Sequence, residues 1–145
     1  MGSASDKAKM APALETLESF GVTATEHVLS AHRTPAAVAE FALGARDSGY
    51  GAIICGAGMA AALPGTVAAH TPLPVIGVPL SGSALAGVDA LYAIVQMPRG
   101  VPVATVAIDG AANAAILAVQ ILALGDSELA DRLAAYRAEW TAPKE

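Results

Sequence analysis

The residues best suited to chemistry lie in the segment 30–35, which reads Ser-Ala-His-Arg-Thr-Pro. The Arg33 guanidinium can bind a phosphate through two parallel hydrogen bonds, and the His32 imidazole can exchange a proton near neutral pH. Pro35 predicts that a helix begins there, with its free amide groups beside the same loop. The segment therefore indicates an anion site with a proton-transfer group, although an isolated His-Arg pair is more often a solvated loop.

A second group of polar residues opens the chain, where residues 2–6 read Gly-Ser-Ala-Ser-Asp. Gly2 lets the backbone approach a ligand, and the hydroxyl groups of Ser3 and Ser5 can donate hydrogen bonds. The amides and the dipole of a helix N-terminus favour an anion such as phosphate. The same five residues are equally typical of a helix N-cap that binds no ligand. From these residues alone, both interpretations stay open.

Small residues dominate a third segment, 56–65, which reads Gly-Ala-Gly-Met-Ala-Ala-Ala-Leu-Pro-Gly. Such residues let a backbone lie against a ligand, but they also let a helix pack closely on a sheet, and taken alone the second interpretation is preferred. The segment has neither the G-x-G-x-x-G spacing of a dinucleotide loop nor the G-K-[ST] of a P-loop. Binding of a nucleotide cofactor is therefore not predicted.

An α/β fold is needed to position these three segments. Apolar, β-rich runs alternate with alanine-rich stretches of helical length, which is typical of α/β proteins. The last three predicted strands are apolar on both faces, as buried parallel strands are. Polar loops at strand ends would lie at the edge where open α/β sheets bind ligands. Strands are predicted near 26–29 and at 52–55, 75–78 and 103–108, and helices at about 5–20, 35–48, 59–70, 85–95, 112–124 and 127–140.

The start of the chain lacks one expected element. A sandwich of this kind usually places an apolar strand before its first loop and helix, whereas here the first helix is predicted almost directly after Met1. Either that strand is absent, which leaves a sheet edge for something else to cover, or the protein begins before Met1. The sequence alone leaves both possibilities open.

Composition narrows the class of protein further. The 145 residues suit one domain, 1–145, and 54% of them are hydrophobic while only 14% are charged. A net charge of −5 without a basic cluster argues against a nucleic-acid partner, and no apolar run is long enough for a membrane span. The one cysteine, Cys55, is predicted to be a buried, unreactive thiol in a cytoplasmic protein. So few charges also predict that part of the surface is buried between subunits.

Taken in order, the segments resemble the family of class I N5-carboxyaminoimidazole ribonucleotide mutases, also called the catalytic subunit of phosphoribosylaminoimidazole carboxylase, or PurE. The resemblance covers nearly the whole chain. It rests on the three segments above and on five further motifs: Leu-Pro-Val-Ile-Gly-Val-Pro at 73–79, Gly-Val-Asp-Ala-Leu at 87–91, Ile-Val-Gln-Met-Pro at 94–98, Gly-Val-Pro-Val-Ala-Thr-Val-Ala-Ile at 100–108 and Asn-Ala-Ala at 113–115.

The resemblance implies a three-layer αβα sandwich, flavodoxin-like or Rossmann-like, around a central parallel sheet that here lacks its first strand. It also implies a homo-octamer with active sites between subunits. The implied activity is an isomerase of purine biosynthesis that moves a carboxylate from N5 to C4 of an aminoimidazole ribonucleotide, without metal or organic cofactor. Protonation at N5 would release CO2 in a closed site, C4 would recapture it, and the C4 proton would then be removed.

The same resemblance assigns roles to residues of this sequence. His32 is the expected general acid and base. Every other assigned residue is expected to contact the substrate or its loops. Ser3, Ser30 and Arg33 would hold the phosphate, Asp6 would bind the ribose hydroxyls with Ser5 supporting its loop, and Gly56, Ala57, Gly58 and Ala60 would line the carboxylate or CO2 pocket, with Ala31 and Leu63 also at the site.

Two positions depart from the family pattern, which has a glycine where Met59 stands and a histidine where Ala62 stands. Two alternatives therefore accompany the mutase: a class II carboxylase that uses free CO2 with aminoimidazole ribonucleotide, and a weakly active or non-catalytic paralogue that binds the nucleotide. The apolar run 111–124 adds an expectation about assembly. A helix that is apolar all round predicts a subunit contact on its outer face.

Overall fold

Strands and helices alternate along residues 1–141, which are the residues that the computed structural model describes. The described strands are β1 Ile53–Gly58, β2 Val75–Leu80 and β3 Ala104–Thr105. The described helices are a 3-10 turn, η1 Ala4–Asp6, and α1 Lys7–Ser19, α2 Pro35–Gly44, α3 Ala62–Ala68, α4 Val88–Val95, α5 Ala111–Leu122 and α6 Ser127–Thr141. None of these helices is long and apolar enough to cross a bilayer.

Strand β2 lies at the centre of a parallel sheet with the order β1-β2-β3. It pairs with β1 from Ile53↔Val75 onward, and with β3 at Ile76↔Ala104. All six residues of β2 are buried, because helices cover both faces of the sheet. Its apolar sequence, Val-Ile-Gly-Val-Pro-Leu, therefore predicted the strand correctly.

Helices on the two faces complete a three-layer αβα sandwich, so the fold class implied by the resemblance is confirmed. On one face, α1, α5 and α6 pack over Ile76, Val78 and Leu80. On the other face, α2, α3 and α4 pack over Cys55 and Val75. The small side chains of the sequence allow these elements to lie close together.

The strand predicted near 26–29 is absent, because residues 22–30 have almost no neighbour to pair with. Among residues 1–141, Met1 is the residue whose backbone bonds to the segment 23–29. Its amino group donates to the His27 carbonyl oxygen at 2.8 Å, and the Leu29 amide donates to the Met1 carbonyl oxygen at 2.9 Å. A β-ladder needs a partner strand along its whole length, whereas Met1 supplies only two hydrogen bonds to this segment.

The strand predicted at 103–108 is reduced to Ala104–Thr105. The chain leaves regular pairing with β2 after Thr105, although the Asp109 amide still donates to the Pro79 carbonyl oxygen at 2.8 Å. Asp109 itself has a φ of 55°, in the left-handed region, and this turns the chain toward α5.

The subunit contact expected on the outer face of α5 stays a prediction, but this helix has more neighbours within the chain than the sheet alone. The helix is flanked by α1 and α6 of the same chain. Its inner residues Ala114 and Ala118 are buried, and Ile116, Leu117 and Ile121 pack partly buried against the same core. The apolar sides of α5 are therefore partly covered within the chain.

Gly77 provides a test of the close packing between β2 and α4. A Cβ atom at this position would overlap the Ile94 Cγ2 atom and lie 3.0 Å from the Val103 Cγ1 atom. Ile94 is buried and branched at Cβ, so it cannot swing away. We expect Gly77→Ala to lower the free energy of unfolding by about 1–3 kcal/mol, measured by urea denaturation.

Gly44→Ala is the matched control, because Gly44 ends α2 and a Cβ there meets nothing within 4 Å. This change should leave stability the same or raise it by about 0.5–1 kcal/mol. Equal effects of the two substitutions would contradict the packing argument.

Candidate active site

The three segments 2–6, 30–35 and 56–65 meet at the backbone of Gly2. Its amide donates to the Gly56 carbonyl oxygen at 3.3 Å, which joins the first segment to the end of β1. Its carbonyl oxygen accepts a hydrogen bond from Arg33 Nη2 at 3.2 Å, which joins the first segment to the second. Residues far apart in sequence are thus brought to one edge of the sheet, the carboxyl edge at which α/β sheets bind ligands.

The first segment folds into a capping box at the start of η1. Ser3 Oγ accepts hydrogen bonds from the Ser5 amide at 3.3 Å and the Ser5 hydroxyl at 2.8 Å. The Asp6 carboxylate accepts from the Ser3 amide at 3.1 Å through Oδ2. The N-cap interpretation therefore describes the local structure. Ser5 remains exposed, and Ser3 and Asp6 are half-buried, so their outer surfaces stay accessible from solvent.

The second segment holds the Arg33 side chain against its own loop. Ser30 Oγ accepts hydrogen bonds from the Arg33 amide at 3.2 Å and from Arg33 Nε at 3.3 Å. Thr34 closes the loop, because its hydroxyl donates to the Ser30 carbonyl oxygen at 3.0 Å. Helix α2 then begins at Pro35, as predicted. His32 lies exposed at the tip of this loop, and Ala31 is half-buried against the core.

The third segment runs from the end of β1 into α3 through two residues in the left-handed region. Met59 has a φ of 55° and Ala61 a φ of 39°. A helix cannot continue through such residues. Helix α3 therefore begins at Ala62, whereas the sequence predicted a start at 59. The Ala62 carbonyl oxygen accepts a hydrogen bond from the Thr66 hydroxyl at 2.9 Å.

The small residues of this segment have a second explanation besides access for a ligand, which is close packing. A Cβ atom on Gly56 would overlap the Met10 Sδ atom, and one on Gly58 would lie 3.3 Å from the Leu80 carbonyl oxygen. Gly56 and Ala57 are buried, whereas Ala60 is exposed. Leu63 is 5% exposed and belongs to the core with Val38 and Val67. The structure thus places Leu63 inside the fold.

Sequence reasoning missed a polar cluster at the carboxyl end of β2. Lys9 Nζ donates to the hydroxyl of Ser81 and lies 3.3 Å from Asp109 Oδ2. The Ser81 amide donates to Asp109 Oδ1 at 2.9 Å, and its hydroxyl donates to the same carboxylate. Ser81 directly follows β2. The criterion that selected the segment 30–35, polar residues after a predicted strand, would have found it.

The surroundings of two titratable groups shift their pKa values. Partial burial by itself would raise the pKa of Asp109, but the hydrogen bonds from Ser81 and the charge of Lys9 outweigh it and hold the pKa below its ordinary value. Burial raises the pKa of the Cys55 thiol to about 12, against the opposing effect of the Met1 ammonium. Cys55 is therefore a protonated, unreactive thiol at neutral pH, as predicted. Residues 1–141 contain no cluster of His, Cys, Asp and Glu suited to a metal ion.

Comparison with known proteins identifies the family of this chain. The family model described as AIR carboxylase matches residues 1–142. This chain belongs to the AIR carboxylase family. It is 56% identical over 139 residues to the N5-carboxyaminoimidazole ribonucleotide mutase of Escherichia coli K12, a match that covers 94% of this chain and 82% of that protein.

Other members of the AIR carboxylase family are similar in sequence or in fold. The phosphoribosylaminoimidazole carboxylase of Saccharomyces cerevisiae is 55% identical over 133 residues, which is 92% of this chain but 23% of that longer protein. The crystal structure of Treponema denticola PurE superimposes with a TM-score of 0.84 at 30% identity, and covers 96% of this chain and 87% of that one. The family resemblance seen in the sequence is therefore confirmed.

Met59 stands where the AIR carboxylase family pattern has glycine, and the left-handed backbone there gives a direct test of that difference. An L-residue in this region loses about 1–2 kcal/mol, whereas glycine does not. The Met59 side chain is 67% exposed, so little packing is lost with it. We expect Met59→Gly to raise the free energy of unfolding by about 1 kcal/mol, measured by urea denaturation.

Ala60→Gly is the control for this test. Ala60 is exposed like Met59 but is not among the residues with positive φ, so glycine there only adds freedom to the unfolded chain. It should lower stability. If both glycine substitutions lower stability, the left-handed backbone at Met59 is not the reason for the family glycine.

Proposed function

We propose that this protein converts N5-carboxyaminoimidazole ribonucleotide to its C4-carboxylated isomer, the reaction named for the Escherichia coli relative. One observation carries the proposal. The Gly2 backbone joins the loop of Ser3 and Asp6, the loop of His32 and Arg33, and the end of β1 at Gly56. Anion-binding and proton-transfer groups are thereby held around one small volume, which is what a decarboxylation and recarboxylation without cofactor requires.

The phosphate of the substrate would bind between the first two loops. Arg33 donates through Nε and Nη2 to the protein itself, which orients the guanidinium, and its remaining N–H donors are available for a phosphate. Ser3 and Ser30 would add hydroxyl contacts, and Ser5 would support the loop. The Asp6 carboxylate uses Oδ2 for the Ser3 amide, which leaves Oδ1 for the ribose hydroxyls.

His32 would move the proton that the isomerisation needs. Its imidazolium gives a proton to N5 as the N–C bond breaks and CO2 leaves. The C4 carbon then bonds to CO2, and the neutral imidazole takes the C4 proton, so the histidine ends as it began. The exposed position of His32 at its loop tip allows the ring to face first one reacting atom and then the other.

The released CO2 would be held by small groups at the end of β1. Gly56, Ala57 and Gly58 lead from the strand, and Ala60 follows them at the surface. Ala31 and Leu63 would border this pocket from the second loop and from α3. Ala62, where the family pattern has histidine, offers no imidazole, so we expect CO2 to be held by shape rather than by a hydrogen bond.

Two alternatives share this site. One is the class II carboxylase, which takes free CO2 with aminoimidazole ribonucleotide. The other is a weakly active or non-catalytic nucleotide-binding paralogue, which is suggested by Ala62. The deciding experiment follows conversion of the N5-carboxylated nucleotide with and without added bicarbonate. Conversion without bicarbonate supports the mutase, dependence on bicarbonate supports the carboxylase, and stoichiometric binding without turnover supports the paralogue.

We also propose that residues 1–145 form one domain that assembles as a homo-octamer in the cytoplasm. Support for assembly comes from apolar side chains left exposed around α4, where Leu85 is 62%, Val88 42%, Tyr92 63% and Val95 46% exposed. Such a patch is typical of a protein–protein contact. This patch is a second candidate for a subunit contact beside α5.

Substitution of the histidine tests its catalytic role. We expect His32→Asn to reduce the rate of isomerisation by about a hundredfold or more, because it removes the proton carrier and keeps a similar shape. The side chain is exposed, so urea denaturation should show unchanged stability. Activity above a tenth of that of the unsubstituted protein would contradict the assignment.

Arg33 should act on substrate affinity. Loss of a charged hydrogen bond to phosphate weakens binding by about 1.5–3 kcal/mol, so Arg33→Ala should raise KM roughly ten- to a hundredfold with a smaller effect on kcat. Arg33→Lys is the matched variant, because it keeps the charge without the planar fork and should give an intermediate KM. An unchanged KM in both variants would place the phosphate elsewhere.

A further inference from the structure

The polar cluster of Lys9, Ser81 and Asp109 has no part in the proposed reaction, and we call it the Lys9 cluster. The Lys9 ammonium donates to the carbonyl oxygen and to the hydroxyl of Ser81, and it lies 3.3 Å from Asp109 Oδ2. All three N–H donors of the ammonium are therefore used within the chain. Such an ammonium is poorly suited to bind a ligand, and it is well suited to fix the helix that carries it.

The acceptor side of the Lys9 cluster is attached to the centre of the sheet. Asp109 Oδ1 accepts a hydrogen bond from the Ser81 amide at 2.9 Å, and the Asp109 amide donates to the Pro79 carbonyl oxygen at 2.8 Å. Pro79 is a fully buried residue of β2. Because these bonds fix the carboxylate to the central strand, Lys9 connects α1 to the most buried element of the sheet.

Few other contacts hold the beginning of α1. No side chain within residues 4–9 is buried, and Met10 is the first buried residue of the helix. Lys7 forms an ion pair with Glu26 at 2.8 Å, but the Lys7 side chain is 62% exposed, and exposed pairs contribute little. The Lys9 side chain is 36% exposed and contacts two segments. Lys9 is therefore the stronger of the two lysine attachments.

Asp6 lies three residues before Lys9, which places both residues on one side of the helix start. Its carboxylate accepts the Ser3 amide at 3.1 Å through Oδ2, and in the proposed function Oδ1 binds the ribose hydroxyls. Gly2 fixes the chain before Asp6 to the end of β1, and Lys9 fixes the chain after it to the end of β2. The Asp6 carboxylate is thus held between two attachment points.

We propose that Lys9 is a positioning residue for the substrate, which acts through Asp6 and not by contact with the nucleotide. The inference rests on the proposed function, in which Asp6 binds the ribose. Hydrogen bonds weaken steeply when their distance or angle departs from the optimum, so a loosened helix start lowers the affinity for the ribose hydroxyls. The ribose does not react. Loss of Lys9 should therefore change substrate affinity and leave the rate of the bound complex nearly unchanged.

Calorimetric titration with aminoimidazole ribonucleotide tests this role, because a nucleotide without the carboxylate binds without turnover. We expect Lys9→Met to raise Kd about three- to tenfold, since it removes the ammonium and keeps the length of the side chain. Lys9→Arg keeps a charge that can reach Asp109 and should recover most of the affinity. With the N5-carboxylated nucleotide, Lys9→Met should raise KM by a similar factor and change kcat by less than about twofold.

Lys7→Met is the matched control, because it removes a lysine from the same turn of α1. The ion pair that it breaks, with Glu26, does not involve the Lys9 cluster. We expect Lys7→Met to change Kd by less than about twofold. Equal increases in Kd from Lys7→Met and Lys9→Met would overturn the proposal, because they would show a general effect of lost positive charge.

A second arm repeats both methionine substitutions in the Asp6→Asn protein. Asparagine keeps an acceptor for the Ser3 amide but removes the charge that strengthens the bonds to the ribose hydroxyls. In this background Lys9→Met should raise Kd by less than about twofold, because the group that Lys9 positions has been weakened. An equal increase in both backgrounds would overturn the proposal, as would an unchanged Kd in Lys9→Met alone.

Asp109→Asn provides a second variant if Lys9→Met fails to fold. It keeps an acceptor for the Ser81 amide and removes the charge opposite Lys9, so it should raise Kd in the same direction. The increase should again shrink in the Asp6→Asn background. A Kd equal to that of the unsubstituted protein would contradict the proposal.

Hydrogen exchange without nucleotide separates this inference from the proposed function. The Ser3 amide donates to the Asp6 carboxylate, so its exchange rate reports whether that carboxylate stays in place. We expect Lys9→Met to speed this exchange at least about threefold and Lys7→Met to leave it unchanged. Unchanged exchange in Lys9→Met would overturn the positioning role even if Kd rises. Absence of nucleotide binding to the unsubstituted protein would instead overturn the proposed function, and this inference with it.

Discussion

The backbone of Met1 and Gly2 is the constraint on which the rest of the site depends. Four hydrogen bonds made by these two residues reach His27, Leu29, Gly56 and Arg33, which belong to three separate parts of the chain. Hydrogen bonds are directional, so they determine both the distance and the orientation of the loops around Gly2. The polar residues of the loops 2–6 and 30–35, and the small residues at the end of β1, depend on two residues that themselves carry no reactive group.

Close packing explains why those loops contain so many small residues. Gly56 backs onto Met10, and Gly77 backs onto Ile94, so the sheet can approach α1 and α4 only where no Cβ intervenes. Gly56 thus combines two roles, since it packs against α1 and also accepts the Gly2 amide. The left-handed residues Met59 and Ala61 add a local strain of about 1–2 kcal/mol each. The structure retains this strain because Met59 and Ala61 form the turn between the end of β1 and the start of α3.

Electrostatic organisation of the carboxyl edge extends beyond the three segments that the sequence singled out. Lys9, Ser81 and Asp109 tie α1 to the end of β2 and to the turn before α5, and the lowered pKa of Asp109 follows from that cluster. Lys9 could not be predicted as part of it, because nothing in a lysine within α1 indicates which strand end lies opposite. Ser81 follows a predicted strand and could have been recognised by the same rule as Ser30.

Apolar runs and turn residues in the sequence were enough to determine the α/β class, the buried strands β1 and β2, the start of α2 at Pro35 and the buried Cys55. These patterns suffice because each of the features depends on local residues or on burial alone. Only the tertiary structure decided which polar loops meet, since the bond between Arg33 and Gly2 joins residues 31 positions apart. It also decided that 26–29 is no strand and that α1 and α6 flank α5. Both outcomes depend on neighbours: a strand needs a paired backbone beside it, and an apolar helix needs a covering surface, and neither partner is recorded in the segment itself.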